Sequence, residues 1–500
     1  MTVLKALATL RAAEQGRAVP ITTVRHVHLV ERPLVFVPLQ LAGEACAPLA
    51  AMVGTDRSDP RLLIVCQPKD RAERFRFAAE LGQLLRDYLD RCRAVGTETV
   101  AKGRTMVERY REAPQLLVPN RGGVRFAGLL GRSTRLRPTA GPYAVDPAVP
   151  ELGTWLTWFA DSAEIPDRGA LLSMTTLLSS HWASGQSATE DRHLGALLAW
   201  IDPPDGLHGA DAALRAEDPI RCPPAGPATD PQFDRRLAEL IMEYRVTAAG
   251  SAARSRARRR LERVLRTQLE PVWRDMWQGV DLLRGLPEGA RAARRWEHDL
   301  DVFTARERRL AEGNRPQARR DNAAGAARRL ARLEEATARF EMERAFDDPL
   351  VMAEYELVGE AFTGTVIAVA GTRTVRGAAP GARTKLRPLI TLRTDERPGT
   401  KAGAVLTSPA REAQHAVIVA MREQPDGSCE VDMELSGGMG RGLTPSPGSL
   451  PSLGEELCYA SFGGFVPSAD LPDDAHVPWT HGGPTVPYQR TDADAREVWG

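Results

Sequence analysis

Residues 251–280 read SAARSRARRRLERVLRTQLEPVWRDMWQGV, and two patterns are superimposed in them. Leu261, Val264, Leu265, Leu269, Val272, Trp273, Met276 and Trp277 recur at three- and four-residue steps, which places them on one face of a helix. Arg256, Arg259, Arg260, Arg263 and Arg266 recur three, four, seven and ten residues from the first of them and form a stripe away from that face. Pro271 falls inside the pattern, where a missing N–H and a ring clash predict a kink. The turn Gly285-Leu286-Pro287 closes the segment.

Working outward, Asp230-Pro231 opens an earlier helix whose apolar face is Phe233, Leu237, Leu240, Ile241 and Tyr244, ended by Gly250. A third helix is expected over 288–312, and a fourth from Pro316 to Phe346. Residues 231–350 therefore read as an Arg-rich, antiparallel helical midsection resembling coiled-coil arms. Its basic stripe fits two readings. Guanidinium groups in a row suit a phosphate backbone, DNA or RNA, because they bind phosphate oxygens bidentately and release counterions. A solvated face or a helix–helix contact also fits. Lysine occurs only at positions 5, 69, 102, 385 and 401, so any exposed helix of this chain is Arg-rich, and Glu262, Glu270, Asp299, Asp301, Glu334 and Glu335 dilute the field.

Before the midsection, Pro33–Leu41 and Leu62–Cys66 are short aliphatic runs that suit buried strands, and Asp70–Val95 is a strongly amphipathic helix. Leu116–Pro119 and Val124–Leu130 read as further strands, which gives a small α/β domain over 1–148. Residues 149–204 form a helical, Trp-rich extension with Trp155, Leu156, Trp158 and Phe159 clustered. Within it Ser187 and Glu190 have the spacing of a capping box for a helix reaching Ile201. His181, Glu190, Asp191 and His193 are metal-ligand types at no recognised spacing, and a packed core is the simpler expectation. Residues 205–230, rich in Pro and Gly, read as a linker.

After the midsection the period changes to alternation. Six short runs between Thr363 and Phe462, separated by Gly, Pro and Asp turns, predict a small β-barrel of OB or SH3-like type over 355–465. Arg387, Arg393 and Arg397 are candidates for one basic face of it, with Tyr459 and Phe462 as its aromatic pair. Ser436–Gly442 reads as a glycine-rich hairpin loop, and 466–500 as an extended tail with Trp479, Tyr488 and Trp499 as docking anchors. The expected fold is a multi-domain α+β chain.

Asp59-Pro60-Arg61, the run Leu62–Cys66 and Gln67-Pro68-Lys69 together resemble the core of the PD-(D/E)XK nuclease superfamily in its Gln-x-Lys form. That resemblance implies a metal-dependent nuclease or hydrolase in which Asp59 holds a divalent cation, Gln67 takes the place of the second acidic residue and Lys69 activates water. Here Gln67 replaces a carboxylate ligand and Pro68 removes a ladder donor. A strand running into a turn explains the same letters.

Composition sets the remaining bounds. Five hundred residues allow several cores. Sixty-six basic and 65 acidic residues give a net charge of +1, so attraction to a polyanion must be local. Six scattered cysteines form no metal or disulfide framework. The first 19 residues lack the pattern of a secretory signal and no apolar run spans a bilayer, so the expected setting is cytoplasmic and off the membrane. The sequence favours a non-catalytic adaptor or accessory subunit of a nucleic-acid-associated multiprotein assembly, in genome defence or DNA processing, with other protein subunits as partners and no cofactor or metal. The alternative is the nuclease.

Overall fold

The computed structural model describes residues 2–219, 222–313, 323–376, 383–395 and 397–462. The chain opens with α1 (Val3–Gln15) and β1 (Val19–Pro20), then forms the meander β2 (Leu34–Gln40), β3 (Pro48–Gly54) and β4 (Arg61–Ile64). Helix α2 (Arg71–Ala94) and the hairpin β5 (Thr97–Lys102) and β6 (Thr105–Tyr110) lead to β7 (Leu116–Val118). Helices α3 (Arg121–Thr134) and α4 (Ala148–Ser162) precede β8 (Leu171–Ser173), which runs straight into α5 (Met174–His181). Then come β9 (Trp182–Ala183), α6 (Leu194–Ile201) and α7 (Gly209–Glu217). The main sheet has the order β4-β3-β2-β7-β8, with β2, β7 and β8 parallel and β3 and β4 antiparallel to their neighbours.

Both faces of this sheet are covered, which is why its strands are almost wholly apolar. Val35, Val37, Leu39, Ala50 and Met52 point to one face and meet α5, α6 and the long helix α9 (Ala252–Arg284). Leu34, Phe36, Ala51 and Val53 point to the other and meet α2, α3, α4 and α10 (Ala290–Ala311). Pro38 is tolerated in the central strand because β7 pairs only with Leu34 and Val35, so the missing N–H faces no partner strand. Helix α8 (Pro231–Val246) packs along α9 through Leu237 and Tyr244. The midsection helices are thus not arms standing apart from an N-terminal domain. Helices α9 and α10 are outer layers of the same three-layer α/β body.

Three local expectations also change. Val124–Leu130 lies in α3, not a strand: Phe126, Ala127 and Leu130 share a helical face, and the Asn120 side chain caps the helix by accepting from Gly123 N at 3.2 Å. Helices α3 and α4 approach so closely that a Cβ on Gly131 would lie 2.7 Å from Thr157 N. Ser187 and Glu190 do form the reciprocal box, with Ser187 N donating to Glu190 Oε2 at 2.7 Å, but they cap a 3-10 turn over Glu190–Arg192. Helix α6 starts afresh at Leu194, capped by His193. The expected linker contains α7, and its end is laid across the sheet: Gln40 N donates to Pro227 O at 2.9 Å, and Asn120 Nδ2 to Gly226 O at 2.7 Å.

Helices α11 (Ala323–Asp347) and α12 (Pro349–Leu357) lead to the C-terminal barrel. Its region comprises β10 (Ala361–Ala370), β11 (Thr374–Arg376), β12 (Thr384–Leu386), β13 (Leu389–Thr394), β14 (Val405–Ser408), β15 (Arg411–Glu423), β16 (Cys429–Ser436) and β17 (Glu456–Ala460). Six of these close an antiparallel barrel in the order β10-β13-β16-β15-β14-β17, one strand more than the five of an OB fold. Val366, Ile390, Leu392, Leu406, Ile418, Val431, Met433 and Leu457 form its core. The barrel is fastened to the body by Arg291, which pairs with Asp347 at 2.8 Å and with Glu412 of β15, and Phe462 closes back on α12 with its ring tilted 37° and centred 4.0 Å from that of Tyr355. Asp348 makes a second fastening: its carboxylate accepts from Thr23 N at 2.6 Å, Val24 N at 3.3 Å and Leu350 N at 3.0 Å. Among the described residues no helix is long and apolar enough to cross a membrane. The expected tail over 466–500 and the expected helix start at Pro316 lie outside the described residues.

Candidate nucleic-acid interface

The arginine stripe rides on α9, and its orientation follows from what the helix buries. Ala257, Leu261, Val264, Leu265 and Gln268 turn to the core. At about 100° per residue, Arg256, Arg259, Arg260, Arg263 and Arg266 occupy an arc of about 120° on the opposite side. The first four are exposed and Arg266 is half-buried. Arg260 donates to both carboxylate oxygens of Glu243 on α8, each at 2.8 Å, and Arg266 pairs with Glu262 at 3.2 Å and Glu270 at 3.4 Å. Arg256, Arg259 and Arg263 have no ion-pair or hydrogen-bond partner among the described residues.

The barrel's arginines differ. Arg387 sits against Glu434 at 3.4 Å, Arg397 against Glu423 at 2.7 Å, and Arg393 against Asp426. Each is matched by a carboxylate, so the three do not form a bare basic face. Tyr459 is 1% exposed inside the barrel and Phe462 packs on Tyr355 and Phe346, which leaves neither as a stacking platform for bases.

Asp59, Gln67 and Lys69 are not brought together. Asp59 is exposed in the turn before β4 and Lys69 is exposed beyond its far end. The four residues of β4, Arg61–Ile64, about 13 Å at the rise of a strand, run between Asp59 and Gln67. Gln67 is committed locally, its N–H donating to Glu73 Oε2 at 2.8 Å and its amide to Ile241 O at 3.1 Å. No group of three or more His, Cys, Asp or Glu placed to hold a metal occurs among the described residues.

The remaining chemistry-bearing residues hold structure. His181 is 1% exposed; burial pushes its imidazole down to about 4, against a hydrogen bond to Leu177 O that favours the charged form. Its Nδ1 lies 2.7 Å from Leu177 O and its Nε2 accepts from His26 N at 3.1 Å, which fixes the neutral Nδ1–H tautomer. Asp191 accepts from Ser184 Oγ at 2.5 Å and from Gln186 Nε2 at 3.0 Å, and His193 caps α6. The loop over Ser436–Gly442 follows β16 and is pinned by Met439, which is buried. A cleft of about 890 Å³ opens between the start of α1, the start of α3, α5 and α12. Four basic and four acidic side chains line it, so it offers no net field.

Sequence reasoning found the stripe but not which arginines are free, because Glu243 reaches Arg260 from another helix. It passed over the strands β11 and β12, whose signal is countable: residues 371–388 hold five basic side chains and no acidic one. Comparison with protein-family models, with curated proteins and with solved structures returned no match.

Proposed function

We propose that this protein is a non-catalytic accessory subunit of a nucleic-acid-associated assembly, one that holds a phosphate backbone on the outer face of α9 and meets protein partners elsewhere on its surface. One observation carries the reading. Arg256, Arg259 and Arg263 stand in line, exposed and without carboxylate partners among the described residues, on a helix whose other face is fixed in the core. A helix held in this way presents its charges at fixed spacing, so little ordering cost is added when a polyanion docks. The non-catalytic part of the reading is supported by the structural contacts that occupy Gln67, His181, Asp191 and His193, and by the strand that separates Asp59 from Lys69. Genome defence or DNA processing is the setting such a subunit suits.

The test is an anisotropy titration of the whole chain against labelled duplex DNA, single-stranded DNA and RNA, at 50 and 200 mM salt, with and without magnesium. Three phosphate contacts contribute about −2.7 to the slope of log K against log salt for a duplex. Replacing Arg256, Arg259 and Arg263 by Gln therefore removes about a 40-fold part of the loss between those salts. Binding that the triple variant leaves unchanged overturns the stripe. Absence of binding leaves a protein–protein adaptor, and magnesium-dependent shortening of the probe returns the nuclease to first place.

A further inference from the structure

Strands β11 and β12 form a two-stranded ribbon outside the barrel ladder, paired Thr374↔Leu386, Val375↔Lys385 and Arg376↔Thr384. Arg387 N donates to Arg373 O at 2.8 Å, which carries the pairing one step further toward the barrel. Opposed residues on a ribbon project to the same side and successive residues to opposite sides. Arg373, Lys385 and Arg387 therefore share a face with Val375, and the same alternation adds Arg383. Arg373 and Arg387, nearest the barrel, share Glu434 at 2.7 and 3.4 Å. Farther out, Arg383 and Lys385 are exposed and have no ion-pair or hydrogen-bond partner among the described residues, as is Arg376 on the opposite face. This contrasts with Arg393, Arg397, Arg411 and Arg422 of the barrel, each of which sits against a carboxylate.

Resting on the reading of α9, we infer that the β11–β12 ribbon is a second, separate contact for the phosphate backbone of a nucleic acid. Positions 383, 385 and 387 succeed one another at about 6.7 Å along one face, a step comparable to that between successive phosphates of a strand. A ribbon of this width also enters a major groove. An acidic peptide is the competing partner for a basic ribbon. Protein interfaces draw affinity from buried aromatic or aliphatic anchors, and this face offers only Val375 between its cations. A ligand recognised by evenly spaced charge alone is better matched by a polyphosphate chain.

The experiment compares the whole protein with Arg383→Gln/Lys385→Gln and with Arg397→Gln, whose arginine is already paired with Glu423. Each is titrated with labelled duplex DNA, single-stranded DNA and RNA, and with a labelled poly-glutamate peptide, at 50 and 200 mM salt. The double variant is expected to keep its unfolding midpoint, to lower the duplex salt slope by about 1.8, and so to shrink the loss between the two salts about 12-fold. Arg397→Gln is expected to match the parent. If the parent binds and the double variant keeps the same slope, the ribbon inference falls while the α9 reading stands. If the double variant loses poly-glutamate binding and keeps nucleic-acid binding, the partner is an acidic protein and the inference is overturned. If the parent binds no nucleic acid, both readings fall together.

Discussion

Asp348 offers the most exacting check on how the body and the barrel are joined. Its side chain is buried, and it ties Thr23 and Val24 in the first segment of the chain to the start of α12. Burial alone would raise its carboxyl; the interaction with His26 and the N–H groups of Thr23, Leu350 and Val24 outweigh that and hold it at about 2. Against the ordinary value of 3.8, that difference is worth about 2 kcal/mol in favour of the charged form. Because the folded value is the lower one, this stability is complete above pH 3.8 and disappears as pH falls toward 2. Asp348→Asn, which keeps an acceptor but no charge, is expected to cost about 2 kcal/mol at pH 7. Asp348→Ala strands the same donors and removes the cap, for about 3–4 kcal/mol. Urea unfolding followed by tryptophan fluorescence reads the body, where Trp155, Trp158, Trp182, Trp200, Trp273, Trp277 and Trp296 lie. At pH 3 the gap between parent and Asp348→Asn is expected to shrink to about 1 kcal/mol. A gap below half a kcal/mol at pH 7, or one that stays at full size at pH 3, refutes the argument.

Three further outcomes follow from other contacts. His181, held at about 4 by burial against 6.5 in the unfolded chain, contributes stability that is complete above pH 6.5 and lost as pH falls toward 4, about 3 kcal/mol in all. Asp299, pushed up to about 6 by burial, acts in the opposite sense over part of that window, so the measure is the difference between parent and His181→Gln, which is expected to lack this slope in urea unfolding at pH 4.5–7. Gly131→Ala drives a Cβ toward Thr157 N and is expected to cost about 1–3 kcal/mol, read as a lowered melting temperature, with no change in nucleic-acid binding. Glu412→Ala takes a partner from both Arg291 and Arg294 and is expected to speed proteolytic release of the barrel while the fluorescence transition of the body moves little.

The apolar period of α9 was legible residue by residue, and so were the barrel's alternating strands, because both patterns are local. What those helices cover was not legible. Whether α9 and α10 stand free or close over a sheet depends on contacts such as Arg25 with Glu288, made across more than 250 residues. Val124–Leu130 misled because a short apolar run satisfies either period, and the deciding cap at Asn120 lies before it. Of the candidate site, the arginine row was plain in the letters, whereas the pairing of Arg260 with Glu243 depends on how α8 lies against α9. Asp59 and Lys69 are close in number and far apart in space because β4 runs between them.

The double life of α9 has a mechanical consequence. At about 1.5 Å per residue its 33 residues make a rod of about 50 Å, and one side of that rod is welded to the central strands. A polymer gripped on the other side has no loop or hinge between it and the sheet. Tension along that polymer would be borne in shear by the interlocked side chains of Leu265, Leu269, Val272 and Met276 against Val35, Val37 and Met52, many contacts strained at once rather than one after another. Such a body would act as a stiff clamp and leave compliance to its junction with the barrel.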